Sequence, residues 1–411
     1  MKQIVLLGGS GNLALLKLVP ELYKLKDKNI QIIVYARSDL KDSYDKKLLE
    51  FYKEYSQEFL DSIVYLRGSY DDLTELSKVA TDETVFYFTL PTSVFYNLAK
   101  KVREISKGKM VFEKPFGETF EDFSKLTEFD NTVFIDHYLA KPLSLAYPEI
   151  QKTTKFTDFL NNENVVSIQV LLTETILVGG ISHFDKSGTI KDVVRNHAIE
   201  MLAVALADLT DLNTGEEYAK ARAEVINKMK IDRKSLIKGQ YEDYVVKGSK
   251  TETLVAFKAT IDDKKWENVE VVFKAGKALP EKKSEVVFKI KKESIGNLKM
   301  LIEECEDFKE AELIFSFASE DCIYLNGVCM DGTEKRIEVV SWNTVHVIVE
   351  THFGGLSQYE YIFNALLYNK PIAMAYNSDV TAALNTFKTI EANQDEPEIY
   401  DQMSETLLNK Y

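Results

Sequence analysis

The sequence predicts an α/β domain followed by an α+β domain, and three observations lead to that fold class. Residues 1–142 alternate short apolar runs with amphipathic stretches, an order typical of a parallel, doubly wound sheet. A glycine-rich turn directly follows the first apolar run. Residues 143–411 contain longer runs in which apolar and polar residues alternate, as antiparallel strands with one solvated face do. We therefore expect one domain over 1–142 and a second domain over 143–411.

The strands predicted in the first domain are short, continuous and rich in β-branched or aromatic residues, as strands buried on both faces are. They are Gln3–Leu7, Ile30–Tyr35, Ile63–Leu66, Val85–Leu90, Met110–Phe112 and Val133–Ile135. Apolar residues at helical spacing lie between them, in Asn12–Leu25, Tyr44–Tyr55 and Val94–Ile105. This order predicts a sheet with helices packed against it.

The second domain begins with a half-exposed strand over Val165–Glu174, and a helix of roughly two dozen residues is expected from Asp192. Antiparallel strands with one solvated face are then predicted over Val255–Ile261, Val269–Phe273, Glu285–Lys291, Glu312–Ser316 and Lys335–Val340. Helices near Leu356–Leu367 and Val380–Glu391 are predicted towards the end of the chain.

Composition and charge exclude several classes of protein. The 411 residues include 51 Lys and Arg against 65 Asp and Glu, a net charge of −14, so the chain has no long-range attraction for nucleic acid or anionic membrane. No apolar run approaches the ~20 residues that span a bilayer, and the N-terminus leads directly into a strand. Cys305, Cys322 and Cys329 form no CxxC pair, which argues against a disulfide framework or a zinc site. We expect a cytoplasmic protein that holds no metal and binds phosphorylated ligands through individual basic residues.

The turn after the first strand fits the pattern G-x-G-x-x-A over Gly9–Ala14. Glycine permits a tight turn and close approach of the main chain to a pyrophosphate, which then lies at the N-terminus of a helix. The pattern alone is weak, but its place between a strand and a helix favours a dinucleotide site. The expected cofactor-binding residues of this turn are Gly8, Gly9, Ser10, Gly11, Asn12 and Leu13.

The second strand is followed by Arg37 and Ser38. A site that prefers NAD usually has an acidic residue here for the ribose hydroxyls, whereas arginine suits the 2′-phosphate of NADP. Asp39 is an alternative candidate for such an acidic residue. We expect NADP from Arg37, which does not exclude NAD.

Histidines and carboxylates are concentrated between residues 136 and 197. Asp136 and His137 end the first domain, and a second cluster runs from His183 to His197. Removing a hydroxyl proton during hydride transfer requires a base, for which a histidine oriented by a carboxylate is suited at neutral pH. Lys114 follows a predicted strand of the first domain, at the sheet edge where α/β folds bind ligands.

These segments, in this order, resemble the glucose-6-phosphate dehydrogenase family. The similar segments are GGSGNLA (8–14), YARS (35–38), EKPFG (113–117), IDHYLAK (135–141), DKSGTIKDVVRNH (185–197), KGQY (238–241) and GKALPEKKSEV (276–286). IDHYLAK together with the later Asp-x-x-x-Asn-His is the most specific part, and the resemblance extends over nearly the whole chain.

The resemblance implies a Rossmann domain, a β+α domain whose large antiparallel sheet forms a dimer interface, and a homodimer or homotetramer. It implies oxidation of glucose 6-phosphate at C1 by NADP, the first step of the pentose phosphate pathway. His197 would be the general base, Asp136 its partner, and Lys114 a contact for both substrate and cofactor. The sugar phosphate and hydroxyls would be bound by His137, Tyr138, Lys141, Glu174, Asp192, Lys277 and Lys282.

The chain also departs from the family pattern. Asn12 replaces an aspartate, Lys191 replaces the usual arginine, and the segment between Glu174 and Asp185 is one residue shorter than usual. The altered segment leaves open a dehydrogenase for another 6-phosphosugar, or for an unphosphorylated or amino sugar. A non-catalytic regulatory paralogue is a third hypothesis, against which the presence of Lys114, Asp136 and His197 argues.

Overall fold

The computed structural model describes residues 2–25, 29–117, 119–178, 184–302, 307–318, 321–354, 357–368, 374–393 and 395–411, so His183 and Cys305 lie outside the described residues. The chain divides into two compact units. The first unit is Met1–Ala140 with Leu356–Ala375, and the second is Lys141–Gly355 with Tyr376–Tyr411. Among the described residues, each unit contains one sheet.

The strands are β1 (Lys2–Leu7), β2 (Ile30–Ala36), β3 (Val64–Arg67), β4 (Val85–Phe88), β5 (Lys109–Glu113), β6 (Thr132–Ile135), β7 (Val165–Thr173), β8 (Met229–Tyr241), β9 (Leu254–Ile261), β10 (Glu270–Gly276), β11 (Lys283–Ile290), β12 (Phe308–Ser316), β13 (Cys322–Cys329), β14 (Glu334–Val340) and β15 (Glu398–Tyr400).

The α-helices are α1 (Val19–Lys24), α2 (Tyr44–Phe51), α3 (Gln57–Ser62), α4 (Thr74–Ser77), α5 (Phe95–Ile105), α6 (Phe120–Thr127), α7 (Pro142–Thr153), α8 (Phe156–Phe159), α9 (Phe184–Thr189), α10 (Ile199–Leu206), α11 (Gly215–Asn227), α12 (Trp342–Phe353), α13 (Gln358–Tyr368) and α14 (Asn377–Glu391). Two π-helical segments precede α1 and α10, at Ala14–Leu18 and Ile190–Ala198. Short 3₁₀ helices lie at Thr92–Val94, Lys264–Trp266, Lys292–Met300 and Leu408–Lys410. Among the helices of the described ranges, none is long and apolar enough to cross a membrane.

The sheet of the first unit is parallel throughout, with the strand order β3-β2-β1-β4-β5-β6. The central strands are apolar and almost completely inaccessible, as Ile4–Leu7 and Val85–Phe88 show with at most 3% exposure. The prediction of a parallel, doubly wound sheet is confirmed. The strand order reverses between β1 and β4, which opens a crevice at their carboxyl ends where such folds bind ligands.

A segment from the C-terminal part of the chain also belongs to the first unit. Lys109 Nζ donates a hydrogen bond to the Leu366 carbonyl oxygen in α13 at 3.0 Å. The main-chain N–H of Ala375 donates to the Phe134 carbonyl oxygen at 3.2 Å. Helix α13 was predicted from its apolar spacing, but its place beside this sheet was not, since the contact joins residues 257 positions apart.

The sheet of the second unit has the order β14-β13-β12-β11-β7-β10-β9-β8-β15. A large sheet is confirmed, but it is mixed rather than wholly antiparallel, because β7 pairs parallel with β10 and β15 with β8. A parallel pair needs a long crossover connection. The helices and strands between β7 and β10 supply it, which the alternation of residues within one strand does not reveal.

Three strands of the second unit, β8, β13 and the three-residue β15, were not predicted, and one helix ends earlier than expected. Strand β8 was missed because its sequence carries charges at irregular spacing, and β13 because it contains an Asn-Gly pair typical of turns. The helix expected to run for about two dozen residues ends at Leu206. Ala207 is extended, and a capping box of Thr214 and Glu217 begins α11. This capping box was the signal for a new helix start.

Candidate functional site

The glycine-rich turn lies at the carboxyl end of β1 and leads into the first helix. Gly8 has a φ of +86°, and a Cβ atom added there would lie 2.5 Å from Cδ2 of Leu90, so this position requires glycine. The Gly11 N–H donates to the Gly8 carbonyl oxygen at 2.9 Å, and Asn12 and Leu13 begin the helix. A glycine turn at a helix N-terminus can bind the pyrophosphate of a dinucleotide.

Hydroxyl groups join this turn to neighbouring segments of the first unit. Ser38 Oγ, just after β2, donates to Ser10 Oγ at 2.8 Å. The buried hydroxyl of Tyr44 donates to the Gly9 carbonyl oxygen at 2.7 Å. The structure thus brings the predicted residues Ser10 and Ser38 together.

The edge beyond β2 carries three exposed charged side chains. The Arg37 guanidinium lies over the Tyr70 ring, with Cζ 5.1 Å from the ring centroid. Asp39, the alternative acidic candidate, forms an ion pair with Arg67 in which NH1 and Oδ2 are 2.7 Å apart. Because Arg67 balances the charge of Asp39, this edge is net positive and is suited to an anionic group.

Lys114 and Asp136 form a buried ion pair at the carboxyl ends of β5 and β6. Lys114 Nζ lies 2.9 Å from Asp136 Oδ2, and the two side chains are 4% and 0% exposed. The other carboxylate oxygen, Oδ1, accepts the main-chain N–H of Tyr138 at 2.9 Å. Hydrogen bonds to both oxygens fix the orientation of this carboxylate.

A second buried carboxylate adjoins this pair and was missed by the sequence analysis. Glu113 is 8% exposed, and both Tyr87 and Tyr359 donate hydroxyl hydrogen bonds to it, the latter at 3.2 Å. Burial, and next the negative charge of Glu113, raise the pKa of both tyrosines well above the usual range. No sequence signal connects Tyr359 with Glu113, since 246 positions separate them.

The same part of α13 also contacts His137. The Tyr359 and His137 rings are stacked, with centroids 6.2 Å apart and an interplanar angle of 23°. Gln358 Nε2 donates a hydrogen bond to the His137 carbonyl oxygen. The neighbouring Tyr138 ring lies 5.3 Å from the His137 ring. These contacts set the position of the two predicted phosphate-binding residues His137 and Tyr138.

In the second unit, Lys277 and Glu174 form an ion pair in which Lys277 Nζ donates to Glu174 Oε2. The Glu174 N–H donates to the Gly276 carbonyl oxygen at 2.9 Å, so β7 and β10 hold the pair at their ends. The Lys277 ammonium group also lies 5.3 Å from the centroid of the Phe184 ring. Lys282 is exposed just before β11 and is not part of this pair.

Asp192 and His197 are half-buried on the segment Ile190–Ala198, which is a π-helix. Hydrogen bonds of a π-helix join residues five apart, so this spacing places Asp192 and His197 on one face, one turn from each other. In an α-helix they would diverge by about 140°. Arg195 anchors the segment from its buried side through an ion pair with Glu391 at 2.9 Å. The π geometry, which the sequence analysis did not foresee, aligns the two predicted residues.

Lys141 lies near a buried aspartate that the sequence analysis also missed. Lys141 Nζ donates to the Phe317 carbonyl oxygen. Asp321 is 8% exposed, and within the described part of the chain its Oδ1 atom has no hydrogen-bond partner. Burial raises the pKa of Asp321 to about 6, although the charge of Lys141 and the N–H of Leu143 favour the ionised form.

This raised pKa gives a testable prediction for Asp321→Asn. The folded state favours protonated Asp321. The protonated group therefore contributes its full stabilisation below the usual pKa of 3.8, and this contribution to the free energy of unfolding is lost as pH rises through about 6. The variant cannot ionise and should be more stable than the unchanged protein by up to about 3 kcal/mol above pH ~7. Denaturant unfolding of both proteins between pH ~4 and ~8 measures the difference, which should vanish at the acidic end.

Asp331→Asn is the matched control. Asp331 is exposed, and the N–H and hydroxyl of Thr333 hold its pKa below the usual value. Its ionised form therefore favours folding, and the variant should lose stability on the alkaline side. A stability difference for Asp321→Asn that stays constant with pH would contradict the assigned titration.

Two family models together match most of the chain. Residues 5–144 match the model described as glucose-6-phosphate dehydrogenase, NAD binding domain. Residues 152–407 match the model described as glucose-6-phosphate dehydrogenase, C-terminal domain.

Individual proteins agree with the family models. A glucose-6-phosphate 1-dehydrogenase of Encephalitozoon cuniculi is 30% identical over 94% of this chain and 92% of its own length. One of Cyberlindnera jadinii is 28% identical over 78% of this chain and 74% of its own length. The fold is similar to a solved glucose-6-phosphate dehydrogenase in complex with glucose 6-phosphate, with a TM-score of 0.79 and 23% identity over 99% of this chain and 96% of that one. The Mycobacterium avium enzyme gives the same TM-score, with 20% identity over 98% of this chain and 95% of that one.

Proposed function

Because the chain belongs to the glucose-6-phosphate dehydrogenase family, we propose that it oxidises glucose 6-phosphate at C1, passes the hydride to NADP and releases 6-phosphogluconolactone. The observation that carries the proposal is the buried Lys114–Asp136 ion pair at the carboxyl edge of the parallel sheet. A carboxylate fixed in this way can orient and stabilise a histidine that accepts a proton. The reaction would be the first step of the pentose phosphate pathway.

The glycine-rich turn fits the dinucleotide half of this proposal. The positive φ of Gly8 and its close contact with Leu90 make the turn tight, as a pyrophosphate-binding turn requires. Gly9, Ser10, Gly11, Asn12 and Leu13 would hold the pyrophosphate, and Arg37 with Ser38 the adenosine 2′-phosphate. Bound NADP would supply its nicotinamide C4 atom as the hydride acceptor, and Arg37 leaves use of NAD open.

We assign the proton transfer to His197, which would take the C1 hydroxyl proton as the hydride leaves C1. Asp136 would orient the imidazole and stabilise the imidazolium that forms. Lys114 would hold Asp136 in place through their ion pair and contact both the substrate and the cofactor. The π-helical spacing of Asp192 and His197 supports a shared face on which Asp192 binds a sugar hydroxyl near the base.

The remaining site residues are assigned to the phosphate or to the sugar hydroxyls according to their charge. His137, Tyr138, Lys141, Lys277 and Lys282 would bind the phosphate, since cationic and hydroxyl groups suit its oxygens. Glu174 would accept hydrogen bonds from sugar hydroxyls while Lys277 holds its carboxylate in place.

We also propose the domain roles and the assembly. Residues 1–142 would form the dinucleotide-binding domain and 143–411 the substrate-binding and dimerisation domain, with the large sheet at the interface of a homodimer or homotetramer. Relatives named as cytoplasmic isoforms in Solanum tuberosum and Arabidopsis thaliana support a cytoplasmic location.

The proposed function is tested by comparing phosphorylated and unphosphorylated sugars with the unchanged protein and Lys141→Ala. We expect the unchanged protein to reduce NADP with glucose 6-phosphate, measured by the absorbance of the reduced nicotinamide. Losing one charge-assisted contact of about 1.5–3 kcal/mol should raise the KM for glucose 6-phosphate by roughly 10- to 100-fold. The KM for glucose should stay within about twofold.

Lys289→Ala, on an exposed lysine of β11, controls for a general loss of positive charge. Equal effects of Lys141→Ala on both sugars would favour a dehydrogenase for an unphosphorylated or amino sugar. No turnover with any aldose 6-phosphate and either NADP or NAD would refute the proposed function.

A further inference from the structure

Glu252 is a buried carboxylate in the second unit that has no part in the functions assigned above. It lies two residues before β9 and is 9% exposed. Burial raises its pKa, opposed by a hydrogen bond from the Ile190 N–H and by the positive charges of Lys238 and Lys191. Burying a carboxylate costs free energy unless the carboxylate is hydrogen-bonded or paired with a positive charge.

Glu252 forms hydrogen bonds with the segment that begins the helix carrying Asp192 and His197. Glu252 Oε1 accepts the main-chain N–H of Ile190 at 3.1 Å. Its main-chain carbonyl oxygen accepts the Thr189 N–H at 3.1 Å and the Thr189 hydroxyl at 3.2 Å. The first turn of a helix leaves N–H groups without acceptors inside the helix, and the Glu252 carboxylate satisfies one of them.

The Glu252 carboxylate also lies close to the main chain of Gly188. Its φ is +68°, and a Cβ atom added there would lie 2.4 Å from Glu252 Oε1. Glycine therefore lets the Glu252 carboxylate approach the main chain closely enough to reach Ile190. This contact gives the glycine of the Asp185–His197 motif a physical reason.

The KGQY motif holds the other side of the Glu252 segment. Gln240 Nε2 donates to the Thr251 carbonyl oxygen at 2.8 Å, and the Thr253 N–H donates to the Gly239 carbonyl oxygen at 2.8 Å. The Thr253 carbonyl oxygen in turn accepts the Lys277 N–H at 2.9 Å. One short segment thus connects the start of the helix with Lys277.

We propose that Glu252 is a positioning residue, which sets the place of Asp192 relative to Lys277 and Glu174 by holding Ile190 to the Glu252–Thr253 segment. This inference rests on the proposed function, because it takes Asp192 as a ligand of the sugar hydroxyls. Asp192 lies two residues beyond Ile190, within the same first turn. His197 lies a turn further along and is anchored separately through its neighbour Arg195 and Glu391.

The expected effect therefore falls on sugar binding more than on turnover. Loss of the Ile190 contact loosens the first turn, although the two Thr189 contacts to the Glu252 main chain remain. A displacement of about 1 Å at a binding group can cost up to ~100-fold. We expect Glu252→Ala to raise the KM for glucose 6-phosphate by roughly 10-fold, with kcat within about threefold and the KM for NADP unchanged. The KM for glucose should rise by the same factor, because Asp192 binds hydroxyls and not the phosphate.

Two further variants distinguish the effect of the hydrogen bond to Ile190 from the effect of removing the Glu252 side chain. Glu252→Gln keeps an oxygen acceptor for the Ile190 N–H and should restore a KM close to that of the unchanged protein. Glu252→Asp withdraws the carboxylate by one methylene and should give an intermediate KM, and it remains informative if Glu252→Ala does not fold.

Glu217→Ala is the matched control for a purely structural role. Glu217 also accepts main-chain N–H groups at a helix start, from Asn213 and Thr214, each at 2.9 Å. Its loss should lower thermal stability and leave the KM for both sugars unchanged.

Steady-state kinetics of the full-length variants with both sugars, alongside thermal unfolding, decide the inference. Unchanged KM values in folded Glu252→Ala or Glu252→Asp would overturn it, as would a Glu252→Gln variant no better than alanine. Absence of turnover in the unchanged protein would instead refute the proposed function, so the two failures are distinguishable.

Discussion

Replacing His197 with asparagine is expected to lower kcat by about 10²- to 10⁴-fold, the range that a general base contributes. Asparagine keeps a similar size and hydrogen-bonding capacity but cannot accept the proton from the C1 hydroxyl. The KM for glucose 6-phosphate should change little, because the sugar contacts assigned to Asp192, Glu174 and the lysines remain. Steady-state kinetics with saturating NADP measure both constants.

Within the described segment Ile190–Ala198, Asp192 is the other side chain on that face that could accept a proton. Arg195 is buried and paired with Glu391, and Val193 and Val194 are apolar. Under the proposed function Asp192 would bind a sugar hydroxyl, and it would then not be aligned with the C1 proton. The loss of kcat should therefore arise in the chemical step. Deuterium at C1 should slow the variant at least as strongly as it slows the unchanged protein.

His352→Asn is the control for this experiment. His352 is an exposed histidine in the last turn of α12, in the same unit as His197. Its replacement should leave kcat unchanged. A His197→Asn variant that folds normally and turns over at the rate of the unchanged protein would show that another group accepts the proton.

Much of the first unit could be predicted because its signals are local. Each strand of the parallel sheet is a short apolar run, and the turn after β1 depends on neighbouring residues such as Gly8 and Gly11. The pairing of Lys114 with Asp136 is also nearly local, since both residues end adjacent strands. Where strand order decides proximity, a correct fold prediction brings such residues together.

The contacts that position the site could not be predicted in the same way. Tyr359 reaches Glu113 across 246 positions, and Glu252 reaches Ile190 across 62. Neither contact leaves a periodic pattern in the sequence, because each joins single residues that lie far apart in the chain. The π-helix is equally hidden, since its apolar spacing over a single segment resembles that of an α-helix, and yet it aligns Asp192 with His197.

The largest expected effect on stability comes from a buried ion cluster in the second unit. Arg222 lies between Glu200 and Asp379, with its Nε 3.0 Å from Glu200 Oε2 and its NH2 donating to Asp379 Oδ2. The arginine side chain is 4% exposed and both carboxylates are 0% exposed. The cluster joins α10, α11 and α14, so its loss affects three helices.

Arg222→Met should lower the free energy of unfolding by about 3–5 kcal/mol, a large part of the ~5–15 kcal/mol that stabilises most domains. Methionine fills much of the space and suits a helix, so the loss comes from two carboxylates left buried without a guanidinium. Denaturant unfolding near pH ~8 measures this loss.

Lys220→Met on the same helix is the control that tests whether burial decides how much stability an ion pair contributes. Lys220 pairs with Glu216 at 3.0 Å, but the two side chains are 63% and 61% exposed. Water screens such a pair, which contributes about 0.3–0.5 kcal/mol, so this variant should unfold at nearly the denaturant concentration of the unchanged protein. Similar losses in the two variants would mean that the charges of the buried cluster are solvated, and the cost of Arg222→Met would then be one of packing alone.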